Sequence, residues 1–162
     1  MTYIYVTVFG VIQNNERGFV MRYSSGVIKP DGVARHLEEE IFDWMERSGF
    51  RVMIRKTLLL KQEDVRVLYE YCYDMPHYRE LEKFLMSGPI VFYVVSSQEG
   101  AIESLNRLVG STDPKSSLRE TIRGRYGESV AHNVIHSTQN EQTLRKDLAH
   151  FLTKEQLLEL FL

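Results

Sequence analysis

From residue 22 onward, short apolar, β-branched runs alternate with stretches whose apolar positions recur every three or four residues, the pattern of strands exchanging with amphipathic helices. Ser24 to Ile28 (SSGVI) reads as a first strand, weakened by Gly26 and its two serines. Arg35 to Ser48 carries Leu37, Ile41, Trp44 and Met45 at helical spacing, and Gly49 ends it. Arg51 to Leu60 is a β-branched and aliphatic strand. A helix with Val65, Leu68, Tyr69 and Cys72 on one face follows, broken at Tyr73-Asp74-Met75-Pro76 because proline disfavours helix at the residue before it. A third helix holds Leu81, Phe84 and Leu85 and stops at Ser87-Gly88-Pro89. Pro89 to Val95 (PIVFYVV) has the continuous apolar character of a strand buried on both faces. Ile102, Leu105 and Leu108 then mark a helix from Gly100 to Val109. Gly110 to His132 is a long irregular stretch, of a length that is usually functional in a compact domain or else disordered. Asn133 to Ser137 (NVIHS) reads as a short last strand. Leu144, Leu148, Phe151 and Leu152 form another amphipathic helix, and Thr153 caps a final helical segment to Leu162.

With accessory helices set aside, the order is β-α-β-β-α-β. That predicts an α+β (broadly α/β) fold, a ferredoxin-like sandwich with a four-stranded antiparallel sheet and helices on one face. No repeat or linker interrupts it, so residues 23–162 are expected to be one domain and residues 1–22 an N-terminal extension. Within the extension, Tyr3 to Ile12 (YIYVTVFGVI) is too short for a membrane span, which needs ~20 residues. No Lys or Arg precedes it and no small-residue cleavage site follows, which argues against a signal peptide. It reads as an extra strand or a poorly ordered arm, or else as the product of a start upstream of the natural one, Met21 standing just before the domain.

Composition narrows the functions. The chain has 162 residues, 43% hydrophobic and 26% charged, with a formal net charge of -2. That balance predicts no general affinity for nucleic acid or for acidic membranes, so any phosphate site must be a local cluster of cations. The single cysteine, Cys72, excludes an internal disulfide and a multi-cysteine metal site and fits a cytoplasmic setting.

The long loop supplies such a cluster. Thr112, Lys115, Arg119, Arg123 and Arg125 lead to Asn133 and His136. Phosphoryl transfer needs cations and donors around the phosphate oxygens and a nucleophile in line with the leaving group. A neutral imidazole can be that nucleophile without losing a proton first. Taken alone, the same residues also read as a core histidine beside a solvated basic loop.

Four segments in order, VIKPDGV (Val27 to Val33), SGPIV (Ser87 to Val91), TIRGRYG (Thr121 to Gly127) and NVIHS (Asn133 to Ser137), resemble the signatures of the nucleoside diphosphate kinase family. The resemblance covers residues 23 to 152. It implies a ferredoxin-like core, Mg²⁺ bound mainly through nucleotide phosphates, ATP and other nucleoside di- and triphosphates as partners, and a homo-oligomer, hexamer or tetramer. By the same resemblance His136 accepts the phosphate, Lys29 reaches the γ-phosphate and Tyr69 lies beside the histidine. Thr112 and Arg123 bind phosphates, and Asn133 bonds the sugar hydroxyl. Gly32 and Arg35 hold the loop and subunit contacts. Asp147 stands where a glutamate orients the catalytic imidazole, assisted by Thr138 in place of a serine.

Several positions depart from the family pattern. His77 replaces the phenylalanine that stacks on the base, and Asn106 replaces a phosphate-binding arginine, with Arg107 its neighbour. Asp147 is one methylene shorter than glutamate, so its bond to the imidazole must be longer or water-mediated unless its helix moves in. Leu68, Tyr71, Arg125 and His150 replace a histidine, an acid, an aspartate and a tryptophan. The expected mechanism is ping-pong transfer through a phosphohistidine, with no protein carboxylate placed to hold a metal. The alternatives are a catalytically weak or inactive nucleotide-binding or scaffold relative, and a nucleic-acid binder, the latter disfavoured by the charge.

Overall fold

A computed structural model describes residues 22–161; the expected extra strand or arm before them lies outside the described residues. Four strands carry the fold: β1 (Tyr23–Ile28), β2 (Arg51–Leu58), β3 (Ile90–Ser96) and β4 (Ile135–Ser137). They lie in the order β2-β3-β1-β4, with every neighbouring pair antiparallel. This is the ferredoxin-like arrangement that the element order predicts. β1 and β3 are the inner strands, which is why they are almost wholly buried. The register pairs Val27 with Phe92 across β1 and β3, and Val27 with His136 across β1 and β4.

Because successive side chains point to opposite faces, the sheet divides the core in two. Ile28, Val91, Tyr93, Val95 and Ile135 face Ile41, Phe42 and Met45 of α2 (Glu38–Arg47) and Leu105 and Val109 of α5 (Ala101–Val109). Val27, Ile90, Phe92 and Val94 face Val65 and Leu68 of α3 (Gln62–Leu68), and Leu144, Leu148 and Phe151 of α7 (Glu141–Phe151). Leu160 of α8 (Lys154–Phe161) and Leu85 of α4 (Tyr78–Leu85) complete that second layer. The expectation of helices on one face is therefore corrected: the accessory segments cover the other face. An unbroken apolar strand such as β3 needs cover on both faces, since exposing one would leave several large side chains in water.

Three helix boundaries also differ from the sequence pattern. Pro30 at the first turn starts a separate five-residue helix, α1 (Pro30–Ala34), and left-handed His36 (φ 55) divides it from α2. α3 ends at Leu68, and a 3-10 turn at Glu70–Cys72 carries the chain on. The long loop contains a 3-10 turn at Pro114–Ser116 and a short helix, α6 (Ile122–Tyr126), whose N-cap Thr121 accepts from Gly124 N through its hydroxyl.

Candidate active site

His136 is the middle residue of β4 and shares a sheet face with its partner Val27. It is 6% exposed, and among the described residues neither imidazole nitrogen has a hydrogen-bond partner. Burial, with repulsion from Lys29 and Arg123, lowers its pKa to about 3. The ring is therefore neutral, with a lone pair available, throughout the physiological range.

Lys29 follows the last residue of β1, so the central strand delivers it beside β4. Its Nζ donates to Asn133 Oδ1 at 2.7 Å and, more weakly, to Ala131 O at 3.4 Å. Burial and the nearby Arg123 depress it to about 7, opposed by Asp31. Asn133 completes a bridge, its Nδ2 donating to Thr112 O at 2.8 Å, so one amide fixes the lysine and the loop together. Arg123, on α6, reaches back to main chain: Nε and Nη2 donate to Ile135 O at 3.2 and 2.8 Å, and Nη1 to Gly110 O at 3.2 Å. Tyr69, at the end of α3, places its ring centroid 4.6 Å from that of His136, and its buried hydroxyl has no hydrogen-bond partner.

Between β4 and α6 the backbone is under constraint. Val134 has φ 65, a left-handed conformation that costs a β-branched residue energy. It is held there by Asp31 Oδ2, which accepts from Val134 N at 3.0 Å, and by Lys29 N, which donates to Val134 O at 2.8 Å. Arg35 supports the loop from outside, donating to Tyr126 O at 2.7 Å.

His136, Lys29, Tyr69, His77, Thr112, Arg123 and Asn133 all line one cleft of about 780 Å³. His77 and Thr112 are exposed at its mouth; the others are buried, Thr112 contributing its carbonyl to Asn133. Asp147 and Thr138 are not brought to the imidazole. Asp147 accepts from Ser25 Oγ at 3.3 Å, and burial raises its pKa to about 7. The Thr138 hydroxyl pairs with that of Thr143 at 2.8 Å. The short aspartate falls back on the nearer hydroxyl of β1, so the expected orienting bond is absent.

Asn106 lines the cleft, but its amide is engaged: Nδ2 donates to Thr138 O at 3.1 Å, and Oδ1 accepts from Ser137 Oγ at 2.5 Å. Arg107 points along its own helix to Ser104 Oγ at 3.1 Å. Arg125 lies over Trp44 and near Glu40, while His150 pairs with Asp64 at 2.7 Å. Sequence reasoning missed Met75, Phe84, Val130 and His132, which line the outer cleft, Phe84 edge-on to His132 with centroids 4.3 Å apart. Phe84 read as an apolar position of a helix and Met75 as part of a helix break, while Val130 and His132 lay in the long irregular stretch where no spacing marked them. Among the described residues no three His, Cys, Asp or Glu side chains form a metal site, and Glu80 is the one carboxylate lining the cleft.

Comparison with known proteins gives a consistent result. The family model described as nucleoside diphosphate kinase matches residues 23–157. A nucleoside diphosphate kinase of Ignicoccus hospitalis is 35% identical over 144 residues, covering 89% of this chain and 93% of the relative. One from Thermus thermophilus is 36% identical over 143 residues, covering 88% and 99%. Among solved structures, the apo enzyme of Encephalitozoon cuniculi superposes with a TM-score of 0.79 at 27% identity, covering 83% and 91%. The Halobacterium salinarum enzyme in complex with CDP gives 0.79 at 28% identity, covering 84% and 90%.

Proposed function

The chain belongs to the nucleoside diphosphate kinase family, a family of nucleotide-binding phosphotransferases, and on that premise we propose that it moves the γ-phosphate of a nucleoside triphosphate to a nucleoside diphosphate by way of a phosphohistidine on His136. The observation that carries this reading is the imidazole itself: buried, neutral, without a hydrogen-bond partner, and flanked by Lys29, Arg123 and Tyr69 at the inner end of the cleft.

In the first half-reaction an imidazole nitrogen uses its lone pair to form an N–P bond to the γ-phosphorus. The bond from that phosphorus to the β,γ-bridging oxygen breaks, and its electron pair leaves on the β-phosphate of the diphosphate. Lys29 and the N–H that each terminal nitrogen of Arg123 has left over supply positive charge and donors for the γ-phosphate oxygens. The Tyr69 hydroxyl is a further donor within the same wall. In the second half-reaction an acceptor diphosphate takes the phosphate back along the same path. Mg²⁺ enters as part of the nucleotide substrate, which agrees with a cleft whose donors are cations, amides and hydroxyls. Thr112 and Asn133 serve the phosphates and sugar, and His77 offers its ring to the base.

We extend the proposal to a homo-oligomer. β2 is an edge strand with partly exposed Val52, Met53 and Ile54, and it pairs only with β3 among the described residues. Light scattering well above 19.0 kDa is the expected result. No helix of the described residues is long and apolar enough to cross a membrane, and a cytoplasmic site of action is part of the proposal.

Initial rates at several fixed concentrations of dTDP and varied ATP test the mechanism. Parallel double-reciprocal lines are expected for a covalent intermediate; lines that intersect would require both nucleotides bound at once and overturn it.

A further inference from the structure

An in-line attack needs the nucleophile held at a fixed position and angle, yet the His136 ring has no hydrogen-bond partner among the described residues. Its main chain, by contrast, is pinned on either side. Asp31 holds Val134 N, and Arg123 holds Ile135 O with two donors. His136 O accepts from the hydroxyl of Tyr93 at 3.0 Å. That last bond crosses the sheet, since Tyr93 is on β3 and His136 on β4, with β1 between them.

The crossing depends on one residue. Gly26 of β1 lies opposite Tyr93 on one side and Ser137 on the other. A Cβ at Gly26 would run into both the Tyr93 hydroxyl and the His136 carbonyl. The glycine that weakens β1 as a strand former opens the path for the phenol. Tyr93 is completely buried, its ring packed edge-on against Phe42 at 5.9 Å. β4 is a three-residue strand at the sheet's edge, entered through the constrained Val134 and paired, among the described residues, with β1 alone. The Tyr93 hydroxyl is the side-chain anchor that falls on the carbonyl of His136 itself.

We propose that Tyr93 is a positioning residue for phosphoryl transfer: its hydroxyl, passing over Gly26, fixes the peptide that carries His136 and substitutes for a side-chain partner of the imidazole. The inference rests on the reading of His136 as the nucleophile.

Tyr93→Phe removes only the oxygen. Val95→Ala, on the same strand and face but remote from the cleft, serves as a matched control for lost stability. Single-turnover phosphorylation by γ-labelled Mg-ATP is followed for both variants and the wild type, each well below its melting temperature. Tyr93→Phe is expected to lower the maximal rate on the order of tenfold, with the half-saturating ATP concentration unchanged. Val95→Ala keeps the wild-type rate although its melting temperature falls. A wild-type rate in Tyr93→Phe, or equal slowing in both variants, overturns the proposal. A second readout is independent of transfer: the imidazole NMR signal of His136, assigned by its loss in His136→Asn. It shifts or doubles in Tyr93→Phe and stays put in Val95→Ala if Tyr93 positions the ring; an unchanged signal in Tyr93→Phe overturns the idea. Absence of label in the wild type counts against the nucleophile reading, while the NMR comparison still judges Tyr93.

Discussion

The inner and outer ends of the cleft are built by different rules. At the inner end Lys29, Asn133, Arg123 and His136 are each at most 7% exposed; Lys29 bonds to Asn133, and Arg123 is tied to the main chain of Ile135 and Gly110. At the outer end His77, Tyr71, Met75 and Val130 are exposed side chains, with no comparable network. Among the cleft-lining residues, Lys29, Tyr69, Arg123, Asn133 and His136 at the inner end match the sequence resemblance, whereas His77, Tyr71 and Asn106, around the rest of the cleft, depart from it. Buried, cross-linked charges tolerate little change, because removing one partner strands another without water. Exposed platform residues are replaced at small cost. We read the difference as a reaction centre retained while nucleotide grip is altered.

The largest effect short of losing the nucleophile is expected at Lys29. Lys29→Gln removes a charge-assisted contact worth about 1.5–3 kcal/mol, so kcat/KM falls by about ten- to a hundredfold. The same lysine sets a pH limb. Its pKa is depressed to about 7, so the cation is lost as pH rises through that value and kcat/KM of the wild type declines there. His136, at about 3, stays neutral across the assay range and adds no acid limb above pH 4. A pH profile flat from 6 to 9 in the wild type, or one whose alkaline decline persists in Lys29→Gln, would break the assignment.

Asn106→Arg comes next. A restored guanidinium regains a phosphate contact, but Ser137 Oγ and Thr138 O lose their amide partner at the end of β4. A net rise of about threefold in kcat/KM is expected, less than the full contact would give. Arg107→Ala should leave the rate unchanged because that side chain is bonded to Ser104. If ATP-to-dTDP transfer suffers instead from Arg107→Ala, the helix presents a different face to the nucleotide. His77→Phe is the smallest change: a better stacking surface, worth about 0.5–1.5 kcal/mol, lowers KM roughly two- to tenfold without altering kcat.

How much of this was legible in the sequence follows from what each signal reports. Periodicity located all four strands, and the segments around Lys29, Arg123, Asn133 and His136 pointed to residues that do converge. Both depend on local patterns. The second helical layer was not legible, because a helix's apolar stripe does not say which sheet face it covers. α6 was missed inside a stretch read as loop, where five residues give no period to detect. Asp147 was assigned by position to the imidazole, but one methylene decides whether a carboxylate reaches it, and here it meets Ser25. Tyr93 was read as one more apolar member of a buried strand, its hydroxyl invisible to hydropathy.

Asp147 leaves its own trace in stability. Burial raises its pKa from 3.8 to about 7, so the fold favours the protonated form. Its contribution is full below pH 3.8 and is lost as pH rises through about 7. Asp147→Asn should therefore melt at a higher temperature than the wild type at pH 8, with the advantage vanishing toward pH 4. An advantage independent of pH would mean that the carboxyl is not held neutral in the fold.

The central claim is that His136 carries the phosphate. Wild-type protein and His136→Asn are incubated with γ-labelled ATP and Mg²⁺, and the protein-bound label is challenged with acid and base. The account predicts acid-labile, base-stable label on the wild type, discharged by a nucleoside diphosphate, and none on His136→Asn, which still binds nucleotide. Equal labelling of the two proteins, or label that survives acid, would contradict it.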